Sequence, residues 1–201
     1  NLLDQAERMV FALTQDGLME GLEPLRPTLT SVFNRMATLA TTRQDVIGLP
    51  SGFPSLDKLT LGFQPGNLII LAARPGMGKS ALSLGISANV AVRTQLPVAF
   101  FTLEMSKAET VERLLAMEAN VDLRKVRTGR ASPDEWSRLT PAADHLDKAP
   151  LYLDDSSSQT MVEIRSKARR QKAQTPELAL VVVDYLQLLV RGRHEHKVAE
   201  T

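Results

Sequence analysis

Cysteine is absent from the 201 residues, which excludes disulfides, thiolate metal sites and cysteine nucleophiles and is compatible with a reducing compartment. Aromatics are scarce, with six Phe, two Tyr and one Trp, so no row of stacking platforms for single-stranded bases is evident. Neither sign of charge dominates, because 24 Lys and Arg against 23 Asp and Glu leave a net charge of +1. Any contact with a polyanion must therefore come from a local patch, not from a global field. No stretch approaches the roughly 18 uninterrupted apolar residues of a membrane-spanning helix, and the first residues lack the basic-then-apolar order of a secretion signal. The expectation is a soluble, cytoplasmic chain with no membrane partner. It starts on Asn1 and stops at Val198-Ala-Glu-Thr201, where a polar helix is only beginning, and so reads as a piece of something longer. What is present suffices for a core: 43% of residues are hydrophobic and the mass of 22.1 kDa suits one domain with an appendage.

Along the chain, Leu2, Ala6, Met9 and Leu13 recur at helical spacing, predicting an amphipathic helix over 2–16 ended by Gly17. A second helix is expected after Pro24 and Pro27, with Leu29, Val32, Phe33, Met36 and Ala40 along one side. Residues 41–67 turn rich in Thr, Gly and Pro and read as a connector into a new domain. Beyond it, short apolar runs at 68–73, 98–103, 151–154 and 178–184 alternate with helical periods at 79–93, 106–119, 133–147 and 161–173. Two of those helices open with a capping box, Ser132 with Glu135 and Thr160 with Glu163. This alternation predicts an α/β fold with a parallel sheet and crossover helices. The run at 179–183 is apolar on both faces, as a central strand covered by helices on each side would be.

Residues 73–80 read Ala-Arg-Pro-Gly-Met-Gly-Lys-Ser, a phosphate-binding loop in all but the first position, where Ala73 replaces glycine. An expected strand precedes the loop and an expected helix comes after it, so backbone N–H groups and the helix N-terminus would converge on one point that attracts polyphosphate. Gly76 and Gly78 let the backbone curl, Lys79 can reach the β- and γ-phosphates of ATP, and the Ser80 hydroxyl can ligate Mg²⁺. Arg74 and Pro75 are expected to shape the loop more than to do chemistry, and the whole stretch from Ala73 through Met77 to Ser80 is the expected nucleotide-binding segment.

Asp184 closes an apolar strand, the position from which a second carboxylate would hold Mg²⁺ through its water shell; its alternative is a turn-forming Asp. Glu104 ends another strand and could polarise an attacking water, or serve only as an acid favoured at a helix N-terminus. Between 161 and 197, eight basic residues face four acidic ones. Those at 165–172 read as a solvated helix face, whereas Arg191, Arg193 and Lys197 come after the Asp184 strand at the sheet edge, where open α/β folds place ligand loops, and are candidate DNA contacts. His194 and His196 read as part of a polar loop and not as metal ligands.

Several of these segments resemble one family. Gly48-Leu-Pro-Ser-Gly-Phe53, Leu56-Asp57, Leu61-Gly62-Phe63 and the run from Leu68 to Ser80 are similar to the lead-in and Walker A region of the DnaB family of bacterial replicative helicases, in which alanine is common at the position of Ala73. Phe101-Thr-Leu-Glu-Met-Ser106 resembles the family's segment bearing the catalytic glutamate, and Asp184-Tyr-Leu-Gln-Leu-Leu189 its Walker B segment. Arg127-Thr-Gly129 and Leu151-Tyr-Leu-Asp-Asp155 look like it as well.

The resemblance implies a RecA-like P-loop ATPase core, with a mostly parallel sheet covered by helices on both faces and preceded by an α-helical linker. By the same resemblance, residues 1–40 are a linker that docks on a neighbouring subunit, 41–67 a connector, and 68–201 a C-terminally incomplete core. It also implies a homohexamer acting on single-stranded DNA, with primase and a helicase loader as partners. Catalysis would fall to Glu104 and Lys79 with ATP and Mg²⁺. The primase-contacting domain is expected before residue 1, and the later strands, most DNA loops and an arginine finger after residue 201, so the chain alone is expected to turn over poorly. Two rivals stand: another RecA-like ATPase of the recombination or clock type, and a non-enzymatic docking fragment.

Overall fold

A computed structural model of the chain describes residues 24–42, 46–157 and 159–184. It divides into two compact units, residues 1–44 and 45–201. In the first unit, α1 spans Leu25–Thr42. Pro27 sits in its first turn, where the missing N–H is an orphan in any case. Leu25, Leu29, Val32, Phe33 and Met36 are exposed along it. The helix expected over 2–16 lies outside the described residues.

In the second unit the order is α2 (Pro54–Thr60), α3 (Lys79–Ala88), β1 (Val98–Thr102), α4 (Lys107–Ala119), α5 (Leu123–Thr128), α6 (Pro133–Asp147), β2 (Leu151–Asp154), α7 (Met161–Gln174) and β3 (Leu180–Asp184). A π-helical stretch over Asn89–Thr94 prolongs α3. The described strands form one sheet in the order β2-β1-β3, with β1 parallel to both neighbours; Phe100 stands level with Leu153 and Val182, and Thr102 with Asp184. Parallel strands need crossovers, which α4 to α6 supply from β1 to its neighbour β2, and α7 supplies from β2 across β1 to β3.

Alternation along β1 divides its side chains between two layers. Phe100 packs with Leu84 and Ala88 of α3 and Leu114 of α4, while Ala99 and Phe101 face Ile164 of α7 and Leu178. Helices therefore cover both faces, as expected of a buried parallel sheet. Both predicted capping boxes are present, at Ser132 with Glu135 and at Thr160 with Glu163.

Three expectations change. The central strand among those described is β1, every residue of which is buried, whereas β3 is flanked on one side only and leaves Val181 43% exposed. The apolar run at 68–73 joins no ladder with the described strands; Leu68 is 86% and Ile70 76% exposed. A strand exists by pairing, and this run is hydrogen-bonded into none of the described strands. The stretch read as a connector contains α2 and an antiparallel bridge between Leu49 and Phe63.

That lead-in is clamped to α3. The buried Asp57 carboxylate accepts from the Ser51 amide at 2.7 Å, the Ser51 hydroxyl at 2.7 Å and the Gly52 amide at 3.2 Å. Asn89, just after α3, donates to the Ser51 carbonyl at 3.1 Å. Gly52 has φ +80°, and a Cβ there would lie 2.4 Å from the Asn89 side chain, so both backbone conformation and space require glycine.

Candidate nucleotide site

Parallel strands present their C-terminal ends together at one edge of the sheet, the usual place for ligand chemistry in open α/β folds. Here that edge carries Thr102 and the nearby Glu104 from β1, Asp184 from β3 and Asp154 from β2. Facing it is the N-terminus of α3, whose first residue is Lys79 and whose N-cap is Gly78.

The loop from Ala73 through Arg74, Pro75, Gly76, Met77 and Gly78 is exposed throughout, while Lys79 and Ser80 are half-buried. A turn closes within it where the Met77 amide donates to the Arg74 carbonyl at 3.2 Å. Gly76 and Gly78 take φ +78° and +87° with nothing within 4 Å of a Cβ at either position. Left-handed backbone conformation, and not crowding, is thus what favours glycine in this loop.

Lys79 and Asp184 lie 105 residues apart in sequence, yet the Lys79 Nζ donates to Asp184 Oδ1. The Asp184 side chain is 3% exposed and the Lys79 side chain 25%. The second carboxylate oxygen, Asp184 Oδ2, is buried and has no hydrogen-bond partner among the described residues. A buried carboxylate oxygen left unpaired is costly, and a hydrated cation beside it would supply the missing partner. Among the described residues no group of three or more His, Cys, Asp or Glu side chains could by itself hold a metal. Mg²⁺ in nucleotide sites takes only one or two protein ligands and completes its shell with phosphates and water, so a single carboxylate such as Asp184 suits it.

Glu104 is exposed, in a tight turn between β1 and α4 whose neighbours Leu103 and Met105 are buried. The Leu103 amide donates to the Asp184 carbonyl at 2.8 Å, which fixes the start of this turn to the strand bearing the other carboxylate. The structure thus brings Lys79 together with Asp184 and sets Glu104 on the same sheet edge. Arg191, Arg193, Lys197, His194 and His196, together with the segment from Tyr185 to Leu189, lie outside the described residues.

Two supporting roles are not visible in sequence spacing. Thr102 is wholly buried and bonds to the Met105 backbone. Asp155 accepts from the Lys107 amide at 3.0 Å at the start of α4 and pairs with the Lys107 ammonium at 3.2 Å. Next to it, burial opposes ionisation of Asp154, but hydrogen bonds from Lys167 and from Ser156 outweigh that and hold its carboxyl at about 2. Lys167, half-buried, is thereby paired with Asp154, and the exposed Lys172 donates to the Leu178 carbonyl at 3.0 Å. Arg165, Arg169 and Arg170 are exposed like Lys172, as expected of a solvated helix face.

Two clefts of about 290 and 300 Å³ lie elsewhere, one between α7 and β3 and one among α4, α5 and α6 beside Trp136; neither borders the phosphate loop. The candidate site is marked by the Lys79–Asp184 ion pair and the strand ends, away from both clefts. Among the described residues no helix is long and apolar enough to cross a membrane.

Comparison with known proteins bears on the fold and the family. The family described as DnaB-like helicase C terminal domain matches residues 48–201. The replicative DNA helicase DnaB of Nostoc sp. is 43% identical over 202 residues, covering 99% of this chain and 22% of that protein. The DnaB of Geobacillus stearothermophilus is 39% identical over 188 residues, covering 94% of this chain and 41% of that one. The chain thus spans less than half the length of these relatives. Among solved structures, an isolated ATPase domain superposes with a TM-score of 0.78 at 30% identity, over 87% of this chain and 61% of that one. A DnaB-like replicative helicase studied with its primase interactions gives 0.75 at 26% identity, over 97% and 46%. With a family match over most of its length and a parallel sheet flanked by helices of the RecA-like kind, the chain belongs to the DnaB-like helicase C-terminal domain family.

Proposed function

We propose that this chain is the ATP-hydrolysing motor part of a ring-forming replicative DNA helicase. The observation that carries the reading is the Lys79–Asp184 pair, which joins the phosphate loop to the strand-end carboxylate. In this reading the loop from Ala73 to Ser80 wraps the triphosphate of ATP, its backbone N–H groups and the N-terminus of α3 favouring negative charge. Lys79 exchanges Asp184 for the β- and γ-phosphates. Ser80 and Asp184 would hold Mg²⁺, which when bound would offset charge on the phosphate oxygens. Glu104 orients the attacking water and accepts its proton.

Residues 1–40 act as a linker that docks on a neighbouring subunit, and the complete protein works as a homohexamer in the cytoplasm. Hydrolysis alters the subunit interface and moves channel loops along single-stranded DNA, with Arg191, Arg193 and Lys197 among the residues that meet the phosphate backbone. Primase and a helicase loader are its protein partners. P-loop enzymes gain about 10³- to 10⁵-fold from an arginine supplied by a neighbour, so turnover by the isolated chain is expected to be poor.

Unwinding of forked DNA with ATP by the intact protein, lost in Lys79→Ala, tests the assignment. Strand exchange or phosphotransfer without unwinding would move it to a recombination or clock type of ATPase. Partner binding that ignores ATP and Lys79→Ala, with no hydrolysis, would make it a docking module.

A further inference from the structure

Thr102 ends β1 with a side chain that is 0% exposed. Valine would suit such a position as well, since both are β-branched and fit a pleated, buried surface. The hydroxyl is therefore not explained by the strand. Its use is local: Thr102 Oγ1 accepts from the Met105 amide at 3.0 Å and donates to the Met105 carbonyl at 3.0 Å. One side chain thus closes a four-residue turn, Thr102 to Met105, through both polar groups of a single peptide residue.

The turn has one outward member. Leu103 and Met105 are 6% and 7% exposed, so they anchor it inward, and Glu104 between them is exposed. Both flanks are tied as well. The Leu103 amide is held by the Asp184 carbonyl, and the start of α4 by Ser106, which caps the Glu109 amide at 3.2 Å, and by Asp155 on the Lys107 amide. Of these ties only the Thr102 hydroxyl spans Glu104 itself, and without it the carboxylate would ride on a turn fixed at its ends but open at its middle.

We infer that Thr102 is a positioning residue for the reaction, holding Glu104 at a fixed place beside Asp184. This rests on the reading of Glu104 as the water-orienting carboxylate. Misplacement of a catalytic group by about 1 Å can cost on the order of 10²-fold in rate. A group that only aims the carboxylate should affect the chemical step and leave nucleotide binding alone.

Steady-state ATPase of the intact protein with Thr102→Val, Thr102→Ser, Glu104→Gln and the Thr102→Val/Glu104→Gln double variant tests this, with Mg·ADP affinity measured on each. The expectation is a fall in kcat of roughly 10- to 100-fold in Thr102→Val, with KM and Mg·ADP affinity within about two-fold. Thr102→Ser, which keeps the hydroxyl, should restore most of the turnover, and the double variant should be no slower than Glu104→Gln. Wild-type kcat in Thr102→Val overturns the proposal. So does loss of nucleotide binding or of folding in Thr102→Val, or an equal loss in Thr102→Ser, because each makes Thr102 a structural residue only. Wild-type turnover in Glu104→Gln instead removes the underlying reading of Glu104, whatever Thr102 does.

Discussion

Two apolar runs of this chain lead into candidate chemistry, and they are held in opposite ways. Leu68-Ile-Ile-Leu71 precedes the phosphate loop and pairs with no described strand, its side chains 39% to 86% exposed. Val98-Ala-Phe-Phe-Thr102 precedes Glu104, pairs on both sides and is buried throughout. The difference lies in the neighbours and not in hydrophobicity. A run becomes a strand when a ladder and a layer receive it, and the loop or turn that the run carries at its C-terminal end is placed only as firmly as that support allows. Glu104 accordingly sits on a turn bonded at its start, middle and end, whereas the phosphate loop is tied to the sheet through Lys79 and Asp184.

Substitutions in the two runs, and in the groups they carry, separate these cases. Phe100→Ala, at a fully buried centre of β1, should cost about 3–5 kcal/mol of unfolding free energy, read from denaturant melts. Lys79→Ala should lower ATP turnover about 10²- to 10³-fold, equivalent to roughly 3–4 kcal/mol in the barrier; near-normal turnover would detach the loop from the chemistry. Thr102→Val should destabilise by about 1–3 kcal/mol by leaving the buried Met105 amide and carbonyl unpaired.

Asp154 is held at about 2, below the ordinary aspartate value. Its contribution to stability should be full above about pH 4 and should fade as pH drops toward 2, the window in which the unfolded chain takes up the proton first. The Tm gap between wild type and Asp154→Asn should therefore close on acidification, whereas a gap that stays constant would contradict the Lys167 pairing. Smallest of all, Ile70→Ala should change stability by no more than about 0.5 kcal/mol. A loss approaching that of Phe100→Ala would mean the 68–71 run is covered after all.

Features written in a few neighbouring residues were legible in the sequence. Ser132 with Glu135 and Thr160 with Glu163 each contain a whole capping box, and both helices begin where expected. The phosphate-loop spacing likewise placed Lys79 at the head of a helix. Features defined by a distant partner were not. The run at 68–73 has the composition of a strand but depends on a neighbour for its ladder, and 179–183 looks central although β1 takes that place among the described strands. The short α5 carries too few residues to show a period. Thr102 looks like any strand threonine until its bonds to Met105 are seen.

The convergence of Lys79, Asp184 and Glu104 on one nucleotide is tested most directly by a crystal structure of the intact protein with Mg²⁺ and a non-hydrolysable ATP analogue. The expected result is that Lys79 leaves Asp184 for the β- and γ-phosphates, that Asp184 enters the water shell of the metal, and that Glu104 faces the γ-phosphate. A triphosphate bound elsewhere, with the Lys79–Asp184 pair intact, would contradict it.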